Sequence, residues 1–243
     1  MTRYIAPLFA VLGAIGFAFT FWLIFTDTPL QYAWQPSDTH KVLATGSGSL
    51  FFNHKIFFWH VPHAIMLFIA VGVAGVSSMG YLWKRQPRWD DVALSAVEVA
   101  VVFGAVTLIT GSIWAKAAWG HWWIWEKRLT MSLLLWFTLV GYLLVRRFAG
   151  ASGERIAAGM AVFAMIGVPF IYTMVGQGDN HPQAGTQGNV ANLGGDLRPA
   201  FWSSMLTFLC WFLALVITRV QSTRMEREVR ELREKGLDTG VLE

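Results

Sequence analysis

Long apolar runs alternate with short polar ones along the whole chain. Six runs reach the roughly 20 residues that a bilayer-spanning helix needs: about 6–26, 56–83, 92–113, 129–146, 156–175 and 200–218. The pattern predicts an all-α integral membrane protein with six transmembrane helices. The polar intervals are too short for a separate soluble domain. The expected organisation is therefore a membrane domain over 1–218 and a charged helical tail over 219–243. The first run follows Arg3, the charge order of a secretion signal. It is too long for a signal's apolar region, and Asp27, Thr28 and Pro29 end it where a small-residue cleavage site would stand. It reads as an uncleaved first helix.

Charge gives the expected orientation. Only 14% of the residues are charged, against about 25% in soluble domains. With the N-terminus in the cytoplasm, 13 of the 19 Lys and Arg residues fall in inside segments and 6 in outside ones. Cytoplasmic loops keep the excess of Lys and Arg, so both termini are expected there. The net charge of +4 comes with no basic stripe of interleaved stacking aromatics, so nucleic acid is not an expected partner. In the tail, Glu226–Arg230, Arg227–Glu231, Arg230–Glu234 and Glu231–Lys235 stand four residues apart and can pair along a solvated helix ending near Gly236. Such a helix is either a solvated stub or a docking surface for a cytoplasmic subunit. Glu98 lies inside the third run, where a charge at the helix centre costs roughly 2.5–3.5 kcal/mol. It is either a residue near the inner interface or a partner for a polar group on another helix.

The connections on the two faces differ. The inside ones are short, about 84–91 and 147–155, whereas the outside ones cover about 27–55, 114–128 and 176–199. A site is expected on the outer face, because loops on a rigid scaffold commonly carry function. The third outer loop is rich in glycine and reads as irregular. The second is WAKAAWGHWWIW, residues 114–125, and holds 5 of the chain's 13 tryptophans: Trp114, Trp119, Trp122, Trp123 and Trp125. An aromatic belt at the headgroups is one reading. A platform for a flat apolar ligand is the other, since a belt does not need so many indoles in one short connection. Continued as a helix, the segment would set Trp119, Trp122 and Glu126 on one face.

All six histidines, His40, His54, His60, His63, His121 and His181, fall in outer loops or the first turns of the second helix. Imidazole is the usual axial ligand of haem iron, and two such ligands must come from separate segments to meet opposite faces of a porphyrin. His60, in FFWHVPHA, and His181, on the glycine-rich loop, make a plausible pair, and His63 shares nearly the same face as His60. Pro62 is expected in the first turn, where a missing amide costs little. The single cysteine, Cys210, reads as a packing residue. It excludes an internal disulfide, a CxxC redox centre and the CxxCH haem attachment signature.

Together these residues resemble the haem-handling family defined by a tryptophan-rich outer segment. The matching stretch is GSIWAKAAWGHWWIWEKRLT, residues 111–130, against a family pattern close to GSxWxKxxWGxWWxWDxRLT. Length and helix count most resemble the haem exporter protein C branch, which serves cytochrome c maturation. The resemblance implies haem b at the outer surface against Trp114, Trp119, Trp122, Trp123 and Trp125. Glu126 and Arg128 would stand beside it, and His60 and His181 would be the axial ligands. It implies a bacterial inner-membrane protein with its haem site on the periplasmic side. The implied partners are an ATP-binding cassette pair, a small helical membrane subunit and a membrane-tethered haem chaperone that receives the haem. The chain departs from the pattern at Glu126, where the family has Asp, at His121, where Thr is common, and in the Gly-Gln-Gly-Asp-Asn stretch before His181. No acid–base pair or nucleophile is evident, so no enzymatic activity is expected. Two other classes remain, a membrane electron-transfer cytochrome b and a structural membrane subunit. The absence of histidine from the spans of helices three to six counts against the first.

Overall fold

The structure, a computed structural model, describes residues 4–28, 55–174, 193 and 195–239. Among them every regular element is a helix. Six are long: α1 Ile5–Trp22, α2 Phe57–Lys84, α3 Pro87–Trp119, α4 Lys127–Phe148, α5 Gly153–Met174 and α6 Arg198–Asp238. All six are long and apolar enough to cross a membrane, so the expected six-span architecture is the one observed. Apolar side chains such as Leu8, Ile15, Phe19, Phe163 and Ile166 stand exposed along the bundle's sides. That is the surface hydrocarbon would cover.

The closest packing joins α2 to α3, α1 to α6, α4 to α5 and α2 to α5. The core explains why. Ala70, Ala74, Ala96, Ala100, Ala157, Ala161 and Ala164 are buried where these helices meet. Lipid tails are as apolar as leucine, so close backbone approach through small residues drives helix association more than burial of large ones. A hydroxyl cluster adds to the α1–α6 contact. Thr207 donates to the Ser203 carbonyl at 2.8 Å, and Thr20 donates to Thr207 at 3.1 Å.

Several boundaries differ from the sequence reading, each for a local reason. The first helix closes in a π-helical turn, Leu23–Asp27. The Thr28 amide and hydroxyl both donate to the Leu23 carbonyl, at 2.9 and 2.8 Å, and Lys55 donates to the Ile24 carbonyl. The Lys55 ammonium also sits 5.0 Å from the Phe25 ring centre, and burial lowers its pKa from the ordinary 10.5. Only Arg85 and Gln86 separate α2 from α3. Arg85 adopts a left-handed conformation that ends α2, and Pro87 opens α3 at a position where its missing amide is harmless. Pro62 is not in the first turn of α2. That helix starts at Phe57, so Pro62 removes the partner of the Phe58 carbonyl four residues back. The Ser204 hydroxyl of α6 donates to that carbonyl instead. A tertiary contact, not the helix end, makes this proline tolerable. The sixth helix runs unbroken from the apolar segment into the charged tail and passes Gly236 to reach Asp238.

The end of the bundle away from the tryptophan motif is tied by charge. Asp90, Asp91 and Glu98 all lie on α3. Arg146 of α4 grips Asp90 with two hydrogen bonds of 2.6 and 2.8 Å. Arg219 grips Glu98 at 2.6 and 2.8 Å, and Arg227 grips Asp91 at 3.1 and 2.7 Å. Glu98 therefore has an internal partner on another helix. Two arginines of the supposed solvated tail are committed to the bundle, and Arg227 also makes the expected pair with Glu231 at 3.2 Å.

Candidate functional site

The tryptophan segment is not a continuous helix. Trp114 and Trp119 belong to the last turns of α3, which ends where Gly120 turns left-handed at φ 79°. Residues 121–125 are irregular, and Glu126 flanks the start of α4 in an extended conformation. The helical face expected for Trp119, Trp122 and Glu126 therefore does not form, because a residue with positive φ cannot continue an α-helix.

What forms instead is a cavity of about 840 Å³, its open mouth included, between α2, α3 and α4. Helical periodicity builds its walls. From α2 come His60, Ala64, Leu67 and Phe68; from α3, Gly104, Thr107, Gly111 and Trp114; from α4, Arg128, Leu129, Ser132 and Trp136. Trp123 closes the wall from the irregular segment. The distance from Gly104 to Trp114 along α3 is about 15 Å at the helical rise per residue. The cavity is therefore a slot running down between helices and not a surface patch.

His60 is held on three sides. Its Nδ1 lies 3.0 Å from the Thr110 hydroxyl. Trp114 stands edge-on, its ring centre 5.7 Å away at 74°. A Cβ added to Gly111 would lie 2.9 Å from His60 Cε1, so the glycine makes room for the ring. At the far wall, Trp136 donates its indole N–H to the Val101 carbonyl at 3.0 Å and rests against Gly104, where an added Cβ would lie 2.6 Å from its ring. The Trp123 indole N–H is buried and has no hydrogen-bond partner among the described residues. One donor on the cavity wall is thus unsatisfied, and leaving a buried donor so costs about 1–3 kcal/mol.

Of the residues singled out in the sequence, His60, Trp114, Trp123 and Arg128 meet at this cavity. Trp122 and Trp125 do not line it; they are 60% and 76% exposed. Lys116 reaches forward to the Gly120 carbonyl at 2.9 Å and lies 6.0 Å from the Trp122 ring, which fastens the turn. His63 faces away. It donates from Nδ1 to the Trp59 carbonyl at 2.6 Å, and its ring packs 4.1 Å from that of Phe208. It therefore cannot stand in for His60 at the cavity without leaving its own packing. His121 is exposed. His40, His54, His181 and most of the glycine-rich loop lie outside the described residues, as does the side chain of Trp119. The sequence reading missed Trp136, although Arg128, Ser132 and Trp136 recur every four residues on one face of α4. It also missed Thr110.

Chemically, the slot offers an apolar enclosure, aromatic faces, one guanidinium and one imidazole. Among the described residues no group of three or more His, Cys, Asp or Glu could hold a metal ion. One imidazole does not make a site for a bare cation. It suits a metal that arrives with most of its coordination filled.

Fold and cavity define a polytopic helical membrane protein with an interhelical slot at its tryptophan-bearing end. The chain belongs to the heme exporter protein C family, whose sequence profile matches residues 1–235. Heme exporter protein C of Bradyrhizobium diazoefficiens is 30% identical over 185 residues, covering 73% of this chain and 69% of that protein. Heme exporter protein C of Escherichia coli K12 is 29% identical over 186 residues, covering 73% of each. A putative cytochrome c biosynthesis ccmC-like mitochondrial protein of Marchantia polymorpha is 30% identical over 119 residues, covering 49% of this chain and 50% of that protein.

Proposed function

We propose that this chain binds haem b at its tryptophan-bearing end and passes it on during cytochrome c maturation. The observation that carries the reading is the single slot in which residues of the tryptophan motif, Trp114, Trp123 and Arg128, meet an imidazole from a different helix, His60. The slot's apolar walls suit a porphyrin and exclude water from it. Arg128 is the guanidinium suited to a propionate, because its planar fork matches a carboxylate. Trp123 supplies a further donor. His60 and His181, the latter from the loop after α5, would hold the iron. Trp122 and Trp125, exposed beside the slot, would extend the aromatic rim, and Trp119 and Glu126 belong to the same motif.

With both termini cytoplasmic, as the distribution of Lys and Arg favours, the slot opens at the periplasmic side of a bacterial inner membrane. The acceptor is a membrane-tethered haem chaperone. An ATP-binding cassette pair and a small helical membrane subunit assemble with the chain on its helical sides and cytoplasmic tail, residues 219–243. No residue of this chain is assigned to catalysis.

The test is the absorption spectrum of purified protein after haem loading. Wild type is expected to show a Soret band of bis-imidazole haem. His60→Ala and His181→Ala are each expected to lose it and to recover it with added imidazole, which fills the vacated axial position. A wild-type protein that binds no haem, or a His60→Ala variant with an unaltered spectrum, overturns the proposal.

A further inference from the structure

Thr110 is not a wall residue of the slot, yet it makes the hydrogen bond that holds the His60 ring. A hydroxyl has one proton to donate and lone pairs to accept with. Thr110 lies within 2.7 Å of the Val106 carbonyl and 3.3 Å of the Thr107 carbonyl, both in its own helix. Neither carbonyl can donate, so the Thr110 proton is committed to the α3 backbone. Its oxygen then has only lone pairs to offer the His60 Nδ1, 3.0 Å away. For that contact to be a hydrogen bond, the proton must sit on Nδ1. A neutral imidazole carries a single N–H, so Nε2 is left with its lone pair free. The Thr107 backbone carbonyl is a second hydrogen-bond partner of the ring, and it too can only accept.

We propose that Thr110 is a positioning residue that fixes the apo His60 imidazole in the Nδ1–H tautomer and so presents Nε2 as a ready Lewis base for a ligand's metal centre. The proposal rests on the reading of the slot as a haem site only for its consequence, since the tautomer is a property of the empty protein. The surroundings keep the ring in this pose. Gly111 leaves the space beside Cε1, and the Trp114 edge limits rotation on the other side. His63 shows the contrast. It too donates from Nδ1, but to its own helix at Trp59, and its ring is packed into the apolar core away from the slot. A partner that fixes the tautomer commonly changes metal affinity by about 10–100-fold when removed.

The experiment uses the full-length protein in detergent with ¹⁵N-labelled histidine. Nitrogen chemical shifts and two-bond couplings identify which ring nitrogen of His60 is protonated, with His60→Asn assigning the signal. Haem-free wild type is expected to show Nδ1–H. Thr110→Val keeps the side-chain shape but has no acceptor, and it is expected to lose the Nδ1–H signature. Thr110→Ser restores the oxygen and is expected to restore the signature. On haem titration, Thr110→Val is expected to bind about tenfold more weakly with an unchanged thermal midpoint, and Thr110→Ser within a factor of about two of wild type. An Nε2–H ring in wild type, or a tautomer indifferent to Thr110→Val, overturns the proposal even if haem binds. A tautomer that follows Thr110 as expected in a protein that takes up no haem supports the proposal and removes the haem reading instead. A Thr110→Val protein that does not fold leaves the wild-type spectrum and Thr110→Ser to decide, since an Nε2–H ring in either is incompatible with Thr110 as acceptor.

Discussion

The two ends of the bundle are built from opposite materials. At the end away from the tryptophan motif, α3 offers Asp90, Asp91 and Glu98, and three arginines on α4 and α6 each grip one of them with two hydrogen bonds. Paired groups in fixed forks leave little freedom, and they lock α3, α4 and α6 together. At the tryptophan end, α3 and α4 part around an apolar slot. The chain between them is irregular. The comparison teaches that charge here is structural and apolar surface is available for binding, the reverse of a soluble domain. In a membrane-spanning bundle the lipid already satisfies apolar groups. Polar pairs that fix one helix to another therefore add what contact with lipid cannot supply.

The sharpest way to break this contrast is to remove a grip. The side chains of Arg146 and Asp90 are only 15% and 11% exposed. Arg146→Ala should therefore leave a largely buried carboxylate unpaired and cost about 3 kcal/mol. Equilibrium unfolding in mixed micelles measures it, and a loss below about 1 kcal/mol would make the charged end ornamental. Next in size is a change confined to the slot. Gly111→Val places a Cβ 2.9 Å from His60 Cε1 and must displace the imidazole. Haem affinity should fall about tenfold, roughly 1.4 kcal/mol, and the unfolding midpoint should stay near wild type. A midpoint that falls while affinity holds would assign Gly111 to packing alone. The smallest effect belongs to Trp125, which is 76% exposed and off the slot. Trp125→Ala should change unfolding by less than about 0.5 kcal/mol and haem affinity by less than about twofold, as titration of the purified variant would record. A large loss would move the rim indoles into the binding surface.

The spans were legible because lipid imposes a single rule on a helix, an unbroken apolar run, and that rule is written residue by residue. The candidate site was legible in its members, His60, Trp114, Trp123 and Arg128, but not in its shape. A helix drawn through 114–125 gave a surface platform. Gly120 turned left-handed, the helix stopped, and the indoles divided between a slot and an exposed rim. Pro62 was read as an end effect, whereas the Ser204 hydroxyl from α6 makes it tolerable.

By itself the sequence determined six spans and their order, because hydropathy acts locally. Tertiary structure alone decided which polar groups meet. Glu98 and Arg219 are 121 positions apart, and His60 and Thr110 are 50. A hydrogen bond depends on distances of a few tenths of an ångström across helices, and no periodicity along one chain encodes how two helices are set side by side.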